Sequence, residues 1–384
     1  MWLNNVAGRN MINRRDSVKN TKRVVVKIGS ALLTSNDQGL DKAAIAAWVE
    51  QIAGMLNKGL EVVIVSSGAV AEGMFRLNWD ERPSLVHELQ VAAAVGQMGL
   101  AQAYEFEFQK YKHTTAQILL NHDDISIRER YLNARNTLQS LLKLKVAPIV
   151  NENDAVATDE ICFGDNDTLA AMVANLIDAD LLIILTDQDG LFDSDPRRNP
   201  RAKLISYGNS RDRTLSVLAG GSGSLGRGGM VTKLKAARLA SLSGTNTIIA
   251  NGKVDGILTQ LLKGQILGTL LAANKEPIAA RKQWMACRMR IFGVLTLDAG
   301  AVKMLVKHRK SLLPIGVKSI EGNFRKGDLV KCVDGNGAEV ARGIVNYGAV
   351  ESAKIIGKSS AFISDMLGYC DSQELIHSDN LVLT

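Results

Sequence analysis

Two clusters of polar side chains stand close together within Val146–Ala170. Asn151–Asp154 follow the apolar run Val146–Val150, and Asp165–Asp167 open an apolar helical pattern. Carboxylates packed this densely would destabilise the fold if they were buried without partners, so they indicate a nearby cation, ammonium group or pair of lysines. The alternative is a solvated loop followed by a helix N-cap, a position that Asp and Asn favour.

Two lysines far apart in the chain could supply the opposite charge. Lys27 lies near the end of an apolar run that leads into Gly29 and Ser30. A lysine buried there must reach water or an anion, unless it snorkels to the surface. Lys233 stands at the start of a predicted helix, where backbone amides and a lysine together bind phosphate. Two lysines and Mg²⁺, with an aspartate between the lysines, indicate phosphoryl transfer.

The segment before Lys233 is rich in glycine but matches no established nucleotide motif in its required context. Gly221, Gly223 and Gly226 fit G-x-G-x-x-G, yet no clear strand precedes them, and the segment also fails the P-loop pattern. A phosphate-binding loop and a flexible surface loop both remain open here.

Strands and helices alternate along the first two thirds of the chain. Buried apolar runs predict strands, and spacings of three and four predict helices. The predicted strands cover 23–28, 61–65, 115–120, 146–150, 180–185 and 245–250, and the predicted helices 41–57, 84–104, 130–142 and 231–242. This pattern predicts an α/β domain with a mainly parallel sheet, whose strand ends would gather the polar clusters at one edge.

The pattern changes after residue 262. Short strand-like pieces at 290–297, 328–333 and 339–345, frequent glycines and a helix near 299–307 predict a small, mostly β domain. We place the boundary near residue 275. Basic residues between 303 and 326 form either a solvated face or a nucleic-acid contact.

Composition limits the class of protein. The chain has 384 residues, 46% of them apolar and 22% charged, which is typical of a soluble globular protein. No run of 18 apolar residues predicts a membrane span. The first 22 residues are polar and basic, which predicts a loose tail. Four scattered cysteines fit a reducing cytosol better than disulfides or zinc. The net charge of +7 suits anionic small molecules or weak nucleic-acid contact.

Six segments resemble, in this order, the amino-acid kinase family: VVVKIGSALLT, VIVSSGAVAEG, VNENDAVAT, FGDNDTLAA, LLTDQDGLFDSDPR and GRGGMVTKL. The second, third and fourth are most similar to members that phosphorylate glutamate. The C-terminal part resembles a PUA domain through LDAGA and SLLPIGVKSIEGNFRKGD. The resemblance implies a flexible tail at 1–22, a three-layer αβα sandwich with a mainly parallel sheet at 23–275, and a small mostly β PUA-like domain at 276–384.

The resemblance also implies roles for particular residues. Lys27 and Lys233 would stabilise the transferring γ-phosphoryl group, and Asp167 would hold both lysines. The residues implied to bind the amino-acid substrate are Ser67, Asp154 and Asn166, with Asp154 facing its ammonium group. Asp165 would bind substrate or support the loop. The residues implied to contact ATP are Lys27, Thr186, Asp187, Arg227, Gly228, Gly229, Met230, Val231, Thr232 and Lys233, and none is assigned as a metal ligand.

The reaction implied is direct attack of the γ-carboxylate of L-glutamate on ATP, with Mg²⁺, as the first step of proline synthesis. A carboxylate is already ionised at neutral pH, so no general base is needed. The resemblance further implies proline as an inhibitor, a cytoplasmic dimer or tetramer, and RNA contact through the PUA-like domain. A sister kinase acting on another acceptor and an RNA-binding protein with a nucleotide sensor are the alternatives.

Overall fold

A computed structural model describes residues 15–35, 39–156, 165–212, 214–215, 218, 229–273 and 291–383. The described residues form two compact units. The larger unit contains those before residue 274 except the short segment 125–131, which groups with residues 291–383 in the smaller unit.

An eight-stranded sheet is the centre of the larger unit. Its strands are β1 (Arg23–Ile28), β4 (Glu61–Ser66), β5 (Thr115–Leu120), β6 (Ala147–Glu152), β7 (Leu181–Thr186), β8 (Tyr207–Asn209), β9 (Asn246–Asn251) and β10 (Thr269–Ala272). They are ordered β5-β6-β4-β1-β7-β9-β10-β8, and every neighbouring pair is parallel except β9 and β10. A separate two-stranded hairpin, β2 (Thr34–Ser35) and β3 (Gly39–Leu40), follows β1.

Helices cover both faces of this sheet. They are α1 (Ser30–Leu33), α2 (Lys42–Asn57), α3 (Ala69–Arg76), α4 (Val86–Gln109), α5 (His122–Ser126), α6 (Arg128–Lys143), α7 (Asn166–Leu176), α8 (Met230–Ala240) and α9 (Ile257–Leu262). Helices α2, α4 and α9 pack into the core on one face. Helices α7 and α8 pack together on the other.

Alternation along β1 decides where the lysine of that strand lies. Val24, Val26 and Ile28 belong to the core beneath α2, α4 and α9. Successive side chains of a strand point to opposite faces, so Val25 and Lys27 face α7 and α8. The same alternation that builds the core therefore brings Lys27 to the helices that carry Asp167 and Lys233.

The packed part of the chain begins earlier than the sequence predicted. Val18 is buried in the core, and Arg15 is only 3% exposed. The Arg15 guanidinium donates to four backbone carbonyls, those of Ser206, Gln265, Leu267 and Gly268, at 3.0–3.3 Å. Residues 15–22 of the predicted tail are thus anchored, because a buried guanidinium needs its donors satisfied.

The smaller unit has its own sheet and core. Its strands are β11 (Ile291–Leu297), β12 (Val317–Gly322), β13 (Leu329–Val333), β14 (Glu339–Ile344) and β15 (Leu381–Leu383), in the order β12-β11-β13-β14-β15. Its named helices are α10 (Ala299–His308), α11 (Ala349–Ile355) and α12 (Ile363–Leu367). Side chains such as Leu295, Leu305 and Phe324 form a core separate from that of the larger unit.

The predicted fold class is confirmed: a helix-flanked sandwich around a mainly parallel sheet, followed by a small, separate β sheet. One stretch differs from the sequence analysis. The sequence pattern predicts no strand between residues 263 and 289, yet β10 lies there and is buried along its whole length. The residues around the predicted boundary, 274–290, lie outside the described part of the chain, so the boundary stays a prediction.

Candidate active site

Several polar side chains meet at one edge of the large sheet. Strands β6, β4, β1, β7 and β9 run parallel, so their carboxyl ends share this edge. Asn151, Ser67, Lys27 and Thr186 lie at or just after the ends of four of these strands. Ligands of open α/β sheets bind at such an edge.

The structure brings Lys27, Asp167 and Lys233 into direct contact. The Lys27 Nζ lies 2.5 Å from Asp167 Oδ1, and the Lys233 Nζ lies 3.1 Å from Asp167 Oδ2. The Thr232 Oγ1 lies 3.2 Å from Asp167 Oδ2 and 2.6 Å from the Gly229 carbonyl oxygen. Asp167 is fully buried, and the two lysines are 6% and 5% exposed. One carboxylate therefore fixes two ammonium groups that are 206 residues apart in sequence.

Each of the three side chains is held by a different element. Lys27 stands on β1, Asp167 in the first turn of α7, and Lys233 in the first turn of α8. A Cβ at Gly29 would lie 3.3 Å from the Leu185 carbonyl oxygen, so the chain that leaves β1 passes close to the backbone of β7. The three charged residues stand on elements that are far apart in the sequence. The packing of α7 against α8 brings their side chains together.

The electrostatics of the cluster favour an anion. Burial opposes ionisation of Asp167, but the two ammonium groups outweigh it and hold the pKa of Asp167 below its usual value. Burial, together with the positive charge of Lys233, lowers the pKa of Lys27 although Asp167 opposes the change. With both lysines protonated, two positive charges face one negative charge. The surplus positive charge is what a phosphoryl group would neutralise.

A second group of residues forms a chain of amides beside the lysines. The Asn166 Nδ2 lies 2.7 Å from the Ser66 carbonyl, 3.0 Å from Ser67 Oγ and 2.8 Å from Asn151 Oδ1. The Asn151 Nδ2 in turn donates to Gln97 Oε1 at 2.7 Å. Because the Ser67 hydroxyl accepts in this arrangement, its own hydrogen is left for another partner.

The two remaining aspartates of the polar clusters have different surroundings. Asp165 Oδ1 accepts from the Thr168 amide at 2.7 Å, so Asp165 is the N-cap of α7. A helix N-cap is the alternative that the sequence analysis gives for this polar cluster. Asp154 is half-buried just beyond β6. Burial raises the pKa of Asp154, and the positive charge of Arg82 opposes that change.

The residues expected to contact ATP fall into two groups. Thr186 is the last residue of β7, which pairs with β1, the strand that carries Lys27. The Thr186 hydroxyl donates to Asp187 Oδ1 at 3.1 Å. Gly229, Met230, Val231, Thr232 and Lys233 form the start of α8, where Gly229 is the N-cap. Arg227 and Gly228 lie outside the described residues.

Sequence reasoning missed two members of the amide chain. Asn151 was visible in the polar cluster but had no assigned role. Gln97 lies inside α4 and had no signal in the sequence, since a glutamine in a long helix is ordinary. Only the packing of α4 against β6 shows that its side chain meets Asn151.

Comparison with known families gives two matches. The model of the amino acid kinase family matches residues 22–251, and the model of the PUA domain matches residues 293–367. Together these ranges contain every site residue named above.

Comparison with curated proteins gives matches along nearly the whole chain. A glutamate 5-kinase of Saccharophagus degradans is 59% identical over 372 residues, which is 97% of this chain and all of that protein. Glutamate 5-kinases of Chromohalobacter salexigens and Pseudomonas aeruginosa are 57% and 58% identical, each over 96% of this chain and over 98% and 100% of their own lengths. Among solved structures, a UMP kinase from Bacillus anthracis aligns with a TM-score of 0.47 at 16% identity, over 66% of this chain and 97% of that one.

Proposed function

The chain belongs to the amino acid kinase family, and on that premise we propose that it transfers the γ-phosphoryl group of ATP to the γ-carboxylate of L-glutamate. The products are ADP and L-glutamyl 5-phosphate, and the reaction is the first step of proline biosynthesis. The observation that carries the proposal is the buried cluster of Lys27, Asp167 and Lys233 at the carboxyl edge of the sheet.

The mechanism needs no proton transfer from the protein. A γ-carboxylate oxygen of glutamate forms the new bond to the γ-phosphorus while the bond from that phosphorus to the β–γ bridging oxygen breaks, and ADP leaves with the bonding electrons. Lys27 and Lys233 stabilise the charge on the transferring oxygens, and Asp167 keeps both ammonium groups in place. Phosphoryl transfer depends on such positioning more than on covalent help.

The order of the strands supports the division of the site between two substrates. Thr186 ends β7 and Asp187 follows it, Lys27 stands on the neighbouring β1, Ser67 follows β4, and Asp154 follows β6. Neighbouring strands are about 4.8 Å apart, so β1 and β6 are separated by roughly 10 Å. That span fits ATP on the β7 side, the reacting carboxylate near Ser67 and Asn166, and the ammonium group of glutamate at Asp154.

Mg²⁺ enters this proposal with the nucleotide. Among the residues that the structure describes, no group of three His, Cys, Asp or Glu side chains could hold a metal by itself. Both oxygens of Asp167 already contact lysines. Mg²⁺ commonly keeps waters and binds mainly through substrate phosphates, so the donor set fits a MgATP complex in which the ion neutralises phosphate charge.

We extend the proposal to regulation and location. Proline shares with glutamate an α-carboxylate and a charged nitrogen but lacks the reacting carboxylate, so it would compete at the glutamate end of the site as a feedback inhibitor. A biosynthetic kinase that uses ATP would act in the cytoplasm. No helix in the described part of the chain is both long and apolar enough to span a bilayer.

A homo-oligomer is also part of the proposal. Val91, Ala94 and Met98 make an exposed stripe on α4, with Val91 47% and Met98 74% exposed. Leu119, on the edge strand β5, lines the same cavity as Ala94 and Met98. An apolar helix stripe beside a sheet edge suits a two-fold contact with a second copy, in a dimer or tetramer.

A second candidate function, RNA contact, is favoured by the PUA match at residues 293–367. Basic side chains of this unit would contact phosphates, so binding to a structured RNA should weaken steeply as salt rises. Binding without such a salt dependence would argue against it.

The test of the main proposal is an ATP- and Mg²⁺-dependent hydroxamate assay with L-glutamate, with and without proline. We expect hydroxamate formation that proline suppresses and that high glutamate restores. Turnover of acetylglutamate, aspartate or UMP without turnover of glutamate would identify a sister kinase and overturn the proposal. Turnover that proline leaves unchanged would overturn the regulatory part alone.

A further inference from the structure

A cavity of about 360 Å³ adjoins Asp154 at the outer side of the site. Its lining combines apolar side chains, such as Met98 and Leu119, with polar ones, including Gln97, Glu152 and Asp154. A cavity of this lining suits a small molecule with both polar and apolar parts.

Gln97 has a side-chain donor that no group in the described part of the chain accepts. The side chain is only 8% exposed, and its Oε1 accepts from Asn151 Nδ2 at 2.7 Å. Its Nε2 has no hydrogen-bond partner within the described part of the chain. A buried amide nitrogen without an acceptor destabilises the fold, so its presence calls for an explanation.

The amide chain fixes the orientation of this donor. Asn166 donates to Asn151, and Asn151 donates to Gln97, so the oxygen of each amide is engaged from the previous residue. Turning the Gln97 amide over would set its Nε2 against the Asn151 Nδ2, two donors facing each other. A series of hydrogen bonds thus begins at the proposed substrate residues Ser67 and Asn166 and ends at Gln97. It fixes the orientation of the Gln97 amide and leaves the Nε2 as its last donor.

We propose that Gln97 is a specificity-determining residue, whose Nε2 donates to the α-carboxylate of the amino-acid substrate while Asp154 binds the ammonium group. This inference rests on the proposed function and deepens it. An ammonium group and an α-carboxylate leave the same carbon, and Gln97 and Asp154 line the same cavity. The γ-carboxylate then extends past Ser67 towards the lysine cluster.

The test uses Gln97→Glu and compares L-glutamate with L-isoglutamine, which has an α-carboxamide and an unchanged γ-carboxylate. Gln97→Glu keeps an oxygen that accepts from Asn151 Nδ2, removes the donor and adds a negative charge. At pH 8 we expect KM for glutamate to rise about 10- to 100-fold with kcat and the ATP KM nearly unchanged. The ratio of kcat/KM for isoglutamine to that for glutamate should rise by at least as much, because the amide donates to the new carboxylate.

Gln97→Met serves as the second variant, since it removes the donor without adding a charge beside Glu152 and Asp154. It should raise KM for glutamate without improving isoglutamine. An unchanged preference between the two substrates in Gln97→Glu, with the variant folded by thermal unfolding, would overturn the inference. Failure of the wild-type protein to phosphorylate glutamate would instead overturn the proposed function.

Discussion

At the scale of single residues, the site is an arrangement of charges that no one element could hold alone. Lys27 and Lys233 are both buried, and two ammonium groups brought together without Asp167 would repel each other in a medium of low dielectric constant. The negative charge of Asp167 reduces the repulsion between the two ammonium groups and leaves one surplus positive charge. Since burying an unpaired charge is costly, the cluster is arranged to receive an anion and not to stabilise the fold.

The first prediction concerns Lys233→Ala. Removing one ammonium group takes away a charge that acts on the transferring phosphoryl group, so kcat should fall about 10²- to 10³-fold. Steady-state kinetics with saturating ATP and glutamate would measure this loss. Lys235→Ala is the matched control, because Lys235 is exposed on the same helix and should leave kcat unchanged. A kcat near that of the wild type in Lys233→Ala would contradict the proposed role.

The second prediction concerns the pH dependence of glutamate binding. Burial raises the pKa of Asp154, and an ammonium group binds only the ionised carboxylate. As pH falls through this raised pKa, the fraction of ionised Asp154 decreases, so KM for glutamate should rise. The positive charge of Arg82 opposes the shift in the pKa of Asp154, and Glu152 lines the same cavity as Asp154.

The measurement is KM for glutamate and for ATP across pH 5 to 8 in the wild type and in Asp154→Asn. The variant should have a high KM for glutamate that no longer follows this titration, whereas KM for ATP should be similar in both proteins. A rise in the ATP KM alone would show that the site has been divided wrongly between the two substrates.

At the scale of elements, the helix that follows β4 is positioned by glycines. Gly73 of α3 and Gly96 of α4 let the two backbones meet, because a Cβ at Gly73 would lie 1.7 Å from the Ala92 oxygen and one at Gly96 would lie 1.8 Å from the Ala69 oxygen. Helix α3 begins two residues after Ser67. The close approach of α3 to α4 therefore helps to set where Ser67 stands.

The third prediction follows from this crossing. Gly73→Ala should destabilise the larger unit by about 3 kcal/mol, because the clash is with backbone and the helices must separate. Chemical denaturation would measure the loss of stability. Steady-state kinetics should show that KM for glutamate increases more, relative to its wild-type value, than KM for ATP does. Gly54→Ala is the control: it lies within α2 with no atom within 4 Å of its Cβ, and it should stabilise the fold by about 0.5–1 kcal/mol.

Strands that are buried on both faces could be predicted from the sequence. Strands whose position depends on pairing with distant segments could not. Strands β1, β4 and β7 are continuous apolar runs, which is the pattern of a central parallel strand. Strand β10 has only four residues and pairs antiparallel with β9. Its pairing depends on partners distant in sequence, so no local period identified it.

The same distinction holds for the site. Residues at strand ends, such as Lys27 and Ser67, were predictable because the α/β pattern already says where ligands bind. Gln97 was not, since its part in the amide chain depends on how α4 crosses β6. Local sequence encodes the strand ends, and tertiary packing decides which helix residues meet them.

At the scale of the whole molecule, the two units have separate hydrophobic cores. The larger core includes Leu100, and the smaller includes Leu305, both fully buried. All of the described residues assigned to the reaction lie in the larger unit. A unit with its own core can lose stability without altering the chemistry of the other, which gives the final prediction.

Leu305→Ala removes a fully buried side chain and should cost the smaller unit about 2–5 kcal/mol. Leu100→Ala is the matched change in the larger unit. Trp284 falls in the smaller unit, so all proteins are compared in a Trp284→Phe background; the remaining tryptophans belong to the larger unit, so tryptophan fluorescence follows that unit and far-ultraviolet circular dichroism follows both. In Leu305→Ala we expect an earlier circular dichroism transition, an unshifted fluorescence transition and wild-type kcat at 25 °C. Leu100→Ala should shift the fluorescence transition and the loss of activity together. A fall in kcat at 25 °C in Leu305→Ala would show that the smaller unit supports catalysis, because all of the described residues assigned to the reaction belong to the larger unit.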